Sequence, residues 1–114
     1  MVADLYHYGH ANYIENIYNS LVKDTNNLLY VGIHNDIDVQ IYKRRPILTM
    51  DERIKVLESN KYINKIIANA PVIINKEYAI KHKIDVLCIP NNRTQEEIDT
   101  WYKTLIDMGA KVEK

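Results

Sequence analysis

The stretch LYHYGHANYIENIY, residues 5–18, places two histidines three positions apart around a glycine, directly ahead of a helical pattern. From Ala11 to Val22 the apolar residues Ile14, Ile17, Tyr18, Leu21 and Val22 recur at helical spacing, so a helix begins almost on top of His10; the polar run KDTNN ends it. A helix amino terminus presents unpaired N–H groups and a partial positive charge, a ready site for a phosphate. Gly9 lets backbone come close to an anion there, and His7, one turn earlier, approaches from the other side. Taken alone, His7-Tyr8-Gly9-His10 reads equally as a phosphate site and as a short turn that carries histidine and glycine.

Outward from this stretch, apolar runs and helical patterns alternate. LLYVGI (28–33) is continuous and partly β-branched, as expected of a strand covered on both faces. Thr49-Met50-Asp51-Glu52 is a capping box that opens a helix through Leu57. INKIIAN reads as a second strand, NKEYAIKH as a short helix and IDVLCI as a third strand. Thr94-Gln95-Glu96-Glu97 is another capping box; behind it Ile98, Trp101, Tyr102, Leu105 and Ile106 form a helical stripe that Gly109 ends, and AKVEK begins a last strand. Alternating strands and helices predict an α/β fold, a Rossmann-like parallel sheet with helices on both faces. Ligands of such sheets bind at the carboxyl ends of strands, beside helix amino termini.

Composition narrows the function. A chain of 114 residues, 46% apolar, fits one domain over residues 1–114. No apolar run is long enough to span a membrane and no basic-then-apolar leader opens the chain, so a cytoplasmic protein without membrane insertion is expected. Cys88 reads as a buried small hydrophobe in a strand. Fifteen basic residues balance fifteen acidic ones, which argues against nucleic acid as a partner. Lys43, Arg44 and Arg45 nevertheless cluster before Pro46, either as an ordinary solvated turn or as a hold on phosphates.

Three segments, ADLYHYGHANY (3–13), VGIHNDIDVQIYKRRPILTMDERI (31–54) and KYINKIIANAPVIINKEYAIKHKIDVLCIP (61–90), together resemble the cytidylyltransferase family of the nucleotidyltransferase superfamily, in order and spacing. The nearest texture is that of ethanolamine-phosphate cytidylyltransferases. The resemblance implies transfer of CMP from CTP to an alcohol phosphate such as phosphoethanolamine, with release of pyrophosphate, in phospholipid precursor synthesis. It implies Mg²⁺ accompanying CTP, a homodimer, and no general base, because the attacking phosphate is already ionised. Carried over residue by residue, His7 and His10 contact the triphosphate and stabilise the transition state, and Lys43 bridges the substrate phosphate and the α-phosphate. Asp4, Gly9 and Arg53 belong to the phosphate-binding set, Asp4 by orienting its loop, and Asn91 and Asn92 stand where an acidic pair often meets the cytosine.

Other readings stay open on these residues. Arg53 is also placed to pair with Asp51 or Glu52 on the helix surface, Asp4 to cap a turn, His34 to line the site or shape a turn, and His82 to stand exposed. The family's strand ahead of HxGH, with its Gly-x-Phe-Asp turn, and its later Arg-Thr-x-Gly-Ile-Ser-Thr signature are not matched, so the expected nucleotidyltransferase fold is incomplete. A sheet without that strand exposes an edge, which a second chain is placed to cover. An adenylyltransferase of the same fold and a catalytically impaired nucleotide-binding module are the alternative functions.

Overall fold

Leu29, Val31 and Ile33 alternate with Tyr30 and Gly32, and this alternation decides where the first core forms. In the computed structural model, which describes residues 1–89, 94–109 and 111–113, the chain divides into two compact units, Met1–Ala70 and Pro71–Lys114.

In the first unit, strand β1 (Tyr30–Gly32) pairs in parallel with β2 (Lys65–Ile67), Val31 opposite Ile66. Leu29, Val31 and Ile33 point into one core with Ala3, Ile14 and Leu57, against which Ile17, Met50, Ile54 and Ile66 pack. Fully burying a leucine, isoleucine or valine side chain such as Leu57, Ile14 or Val31 contributes roughly 1.5–3 kcal/mol. The strand is covered on one face rather than the two expected: Tyr30 is 40% exposed, with the Lys65 ammonium 5.8 Å from its ring. A tyrosine keeps an apolar run looking continuous in sequence while its ring and hydroxyl stay at the surface.

Helix α1 (Tyr8–Ile17) supplies Ile14 to this core and passes at Tyr18–Val22 into a π-helical turn. It starts two residues before the expected point, so His10 sits inside its first turn and His7 is the N-cap. Helix α2 (Asp36–Tyr42) was not anticipated from the sequence. Asn35 caps it, the side-chain oxygen accepting from the Asp38 N–H at 2.7 Å. Helix α3 (Met50–Leu57) opens on the expected capping box, Thr49 Oγ1 accepting from the Glu52 N–H at 3.2 Å and Glu52 Oε1 from the Thr49 N–H at 3.0 Å. At the carboxyl ends of the strands, the Ile33 N–H donates to Ile67 and the Ala70 N–H to Ile33.

The second unit repeats the design with other partners. Strand β3 (Val86–Cys88) pairs in parallel with β4 (Lys111–Glu113), and helix α4 (Lys76–His82) precedes β3. The stripe expected to form one continuous helix is broken into α5 (Gln95–Trp101) and α6 (Lys103–Asp107), because Tyr102 leaves helical geometry at φ −119°, ψ 9°. The break still lets Ile98, Tyr102 and Leu105 pack into one core with Ile74, Ala79 and Ile89. His82 is half-buried rather than exposed, its ring centroid 4.5 Å from that of Tyr78. The α/β class and the parallel pairing are those expected from the sequence.

Candidate functional site

The site is built on a turn the sequence does not favour. Ala3 and Leu5, neither of them glycine, take the left-handed region at φ 56° and 49°, which costs on the order of 1 kcal/mol each. Asp4, between them, holds the turn in place. Its carboxylate accepts from the Ile47 N–H at 2.8 Å and the Leu48 N–H at 2.9 Å, and the Arg44 guanidinium lies 3.4 Å away. Its side chain is only 8% exposed. Burial works against the charged carboxylate, but the two backbone donors and the charges of Arg44 and Arg53 outweigh it and hold its pKa below the ordinary carboxylate value.

Beyond this turn the two histidines cap α1 with each other. His7 Nδ1 accepts from the Gly9 N–H at 2.9 Å, and His10 Nδ1 accepts from the His7 N–H at 3.2 Å. Imidazole thus does what a serine and a glutamate do in an ordinary capping box. A backbone N–H can only donate, so both Nδ1 atoms act as acceptors and each neutral ring carries its proton on Nε2. The ring centroids are 4.1 Å apart. Asp4, His7, His10, Lys43 and Arg44 line one cleft of about 240 Å³, with Val39 and Pro46 as apolar wall. Lys43 reaches it from the carboxyl end of α2. The cleft therefore offers two N–H donors, a helix amino terminus and two cationic side chains, a set suited to a polyanion.

Not every expected residue is at the cleft. Arg53 lies behind it, fully buried: Nε donates to the Leu48 carbonyl at 3.2 Å, one terminal nitrogen to the Val2 carbonyl at 2.8 Å, and the other to Asp36 at 2.7 Å. Its ion partner is thus Asp36 and not Asp51 or Glu52, whose neighbour Thr49 engages Glu52 in the capping box. His34 shapes a turn, with Nδ1 2.8 Å from the Ala70 carbonyl. Asn91 and Asn92 lie outside the described residues. Tyr6 was not singled out from the sequence, yet its ring lies 5.8 Å from His10 and within 11° of parallel.

Residues 2–112 match the family described as Cytidylyltransferase-like. The chain belongs to the cytidylyltransferase-like family. Among similar proteins, ethanolamine-phosphate cytidylyltransferase of Mus musculus is 28% identical over 84% of this chain and 22% of its own length. Choline-phosphate cytidylyltransferase 2 of Arabidopsis thaliana is 36% identical over 74% of the chain and 27% of its own length. Choline-phosphate cytidylyltransferase of Saccharomyces cerevisiae is 29% identical over 95% of the chain and 25% of its own length. The chain thus spans about a quarter of the length of these cytidylyltransferases.

In this family member the glycine of the HxGH segment is required by the histidine fold-back. A Cβ at Gly9 would sit 2.7 Å from His7 Cε1 and 3.0 Å from His7 Nδ1. The His7 ring can swing away, so Gly9→Ala is expected to leave the melting temperature within a few degrees, the helix propensity of alanine offsetting the lost cap. The displaced imidazole is expected to give up its bond from the Gly9 N–H, read as a changed ¹⁵N shift at His7 Nδ1.

The histidine cap also sets a pH dependence. Burial first, then the charges of His7 and Lys43, pull the His10 pKa below 6.5, against the opposing pull of Asp4. With a folded value below the unfolded one, the unfolded chain binds protons first as pH falls. His10 therefore contributes stability that is complete above pH 6.5 and is lost as pH falls through the folded value. Asp4 acts with the same sign in a lower window, its contribution complete above 3.8 and lost as pH falls through its lowered folded value. Melting temperature is expected to decline from pH 7 toward pH 5, and to decline less in His10→Asn, whose amide oxygen replaces the Nδ1 acceptor without titrating.

Proposed function

We propose that this chain transfers CMP from MgCTP to a small alcohol phosphate such as phosphoethanolamine. The reading is carried by one observation: two imidazoles whose Nδ1 atoms both accept from backbone N–H groups, which leaves Nε2 for a ligand, with Lys43, on a single cleft at the amino terminus of α1. Family membership supports it.

A phosphomonoester oxygen forms a bond to the α-phosphorus of CTP, and the bond from that phosphorus to the bridging oxygen breaks, releasing pyrophosphate. The attacking oxygen is ionised at neutral pH and needs no base. His7 and His10 donate Nε2–H to the phosphate oxygens on which charge grows, and Lys43 holds the incoming and α-phosphates at bonding distance. Asp4 keeps both carboxylate oxygens on backbone N–H groups and so fixes the loop that carries Arg44. Mg²⁺ enters as part of the nucleotide substrate.

The experiment is pyrophosphate release from CTP, phosphoethanolamine and Mg²⁺, with ATP and phosphocholine as alternative substrates. CTP- and phosphoethanolamine-dependent release is the expected result. Release from ATP in place of CTP would make the chain an adenylyltransferase, and CTP protection against melting without release would make it a nucleotide-binding module.

A further inference from the structure

Tyr6 and Asn60 form a chain of restraint that ends on His10. The His10 imidazole lies 4.1 Å from the tilted His7 ring, centroid to centroid, and accepts one hydrogen bond of 3.2 Å from the His7 N–H, at the long end of the range for such bonds. Rotation of a histidine ring about its outer torsion is soft, so that bond alone is a weak guide to where Nε2 points. The Tyr6 ring lies offset and nearly parallel to the imidazole, 5.8 Å between centroids and 11° between planes, and limits that rotation. Tyr6 is itself anchored. Its hydroxyl accepts from Asn60 Nδ2 at 3.0 Å, 54 residues along the chain. Asn60 is fixed in turn just beyond α3: its N–H donates to the Leu57 carbonyl at 2.9 Å and its Oδ1 accepts from the Tyr62 N–H at 2.9 Å.

We propose that Tyr6 is a positioning residue for His10 and that Asn60 is its anchor, together holding the His10 ring so that Nε2–H points into the cleft. The inference deepens the transferase reading and rests on it for the effect on rate, whereas the ring geometry is read without turnover. The hydroxyl tether acts through the ring, so loss of either end of the Asn60–Tyr6 bond has one consequence.

The test uses the 114-residue chain and Tyr6→Phe, Tyr6→Leu, Asn60→Ala and the double variant Tyr6→Phe with Asn60→Ala. In the parent, ¹⁵N shifts of the His10 ring are expected to report the Nε2–H tautomer, and in Tyr6→Leu a mixture of both tautomers with a His10 titration moved back toward 6.5. Turnover is expected to fall about tenfold in Tyr6→Leu and a few-fold in Tyr6→Phe and Asn60→Ala, with KM for CTP unchanged. The double variant is expected to be no slower than the slower single one, because both changes break the same Tyr6–Asn60 bond. Unchanged tautomer and titration in a folded Tyr6→Leu chain would overturn the proposal, as would a loss confined to KM. If the parent binds CTP without turnover, the transferase reading fails and the ring ¹⁵N shifts still decide the positioning role.

Discussion

His10→Ala is expected to lower turnover by about 10²–10³-fold, equivalent to about 2.7–4 kcal/mol of transition-state stabilisation, with a small change in KM for CTP. The argument is geometric. Charge appears on the pyrophosphate oxygens only as the bond to the α-phosphorus breaks, so a donor aimed at those oxygens is worth more in the transition state than in the bound substrate. His10 is half-buried in the cleft with its Nδ1 committed to the His7 N–H, leaving the protonated Nε2 as its ligand donor. The substitution also removes half of the capping box, about 1 kcal/mol of stability. His10→Asn separates the two effects: an amide oxygen near the Nδ1 position keeps the cap, while the longer reach of Nε2–H is lost. Melting close to that of the parent with turnover as low as in His10→Ala assigns the defect to chemistry. Restored turnover in His10→Asn would assign it to the helix cap.

The sequence made some of this legible and hid the rest for identifiable reasons. Helices with Thr49 and Thr94 at their starts were readable because capping is local, written in four consecutive residues. The HxGH segment offered two readings, a phosphate site and a short turn, and the start of α1 was misplaced, since histidine is not an ordinary N-cap and only the structure shows Nδ1 in that role. Helix α2 was hidden by its own pattern. Ile37, Val39 and Ile41 alternate at strand period, and only Val39 is buried; Ile37 and Ile41 stand 73% and 78% exposed, so no helical stripe is visible. Arg53 was hidden because a buried guanidinium is decided by partners 5, 17 and 51 residues away in sequence, Leu48, Asp36 and Val2. The same distance hid the Tyr6–Asn60 link. A threonine–glutamate capping box leaves a sequence signature; the histidine cap and the long-range bonds at the site do not.

Arg53→Ala is expected to destabilise the chain by about 3–5 kcal/mol, a large share of the stability of a small domain. Arg53 is fully buried and spends its Nε and both terminal nitrogens on Leu48, Val2 and Asp36. Truncation leaves two half-buried carbonyls without these donors and a cavity where a long, fully buried side chain was packed. The partners also locate the site: Val2 precedes the left-handed turn at Ala3, and Leu48 is one of the residues whose N–H groups anchor Asp4. Arg53→Lys is the informative companion, because one ammonium cannot span the Leu48 carbonyl, the Val2 carbonyl and the Asp36 carboxylate as the planar guanidinium does. It is expected to lose stability by an intermediate amount in urea unfolding, with turnover falling in step. A phosphate contact from Arg53 would give the opposite split: normal urea unfolding in Arg53→Lys and a raised KM for CTP. Asp36→Asn, which keeps an acceptor oxygen near the guanidinium but removes the charge, is expected to cost less than Arg53→Ala, since Asp36 is 44% exposed and solvent screens its part of the ion pair.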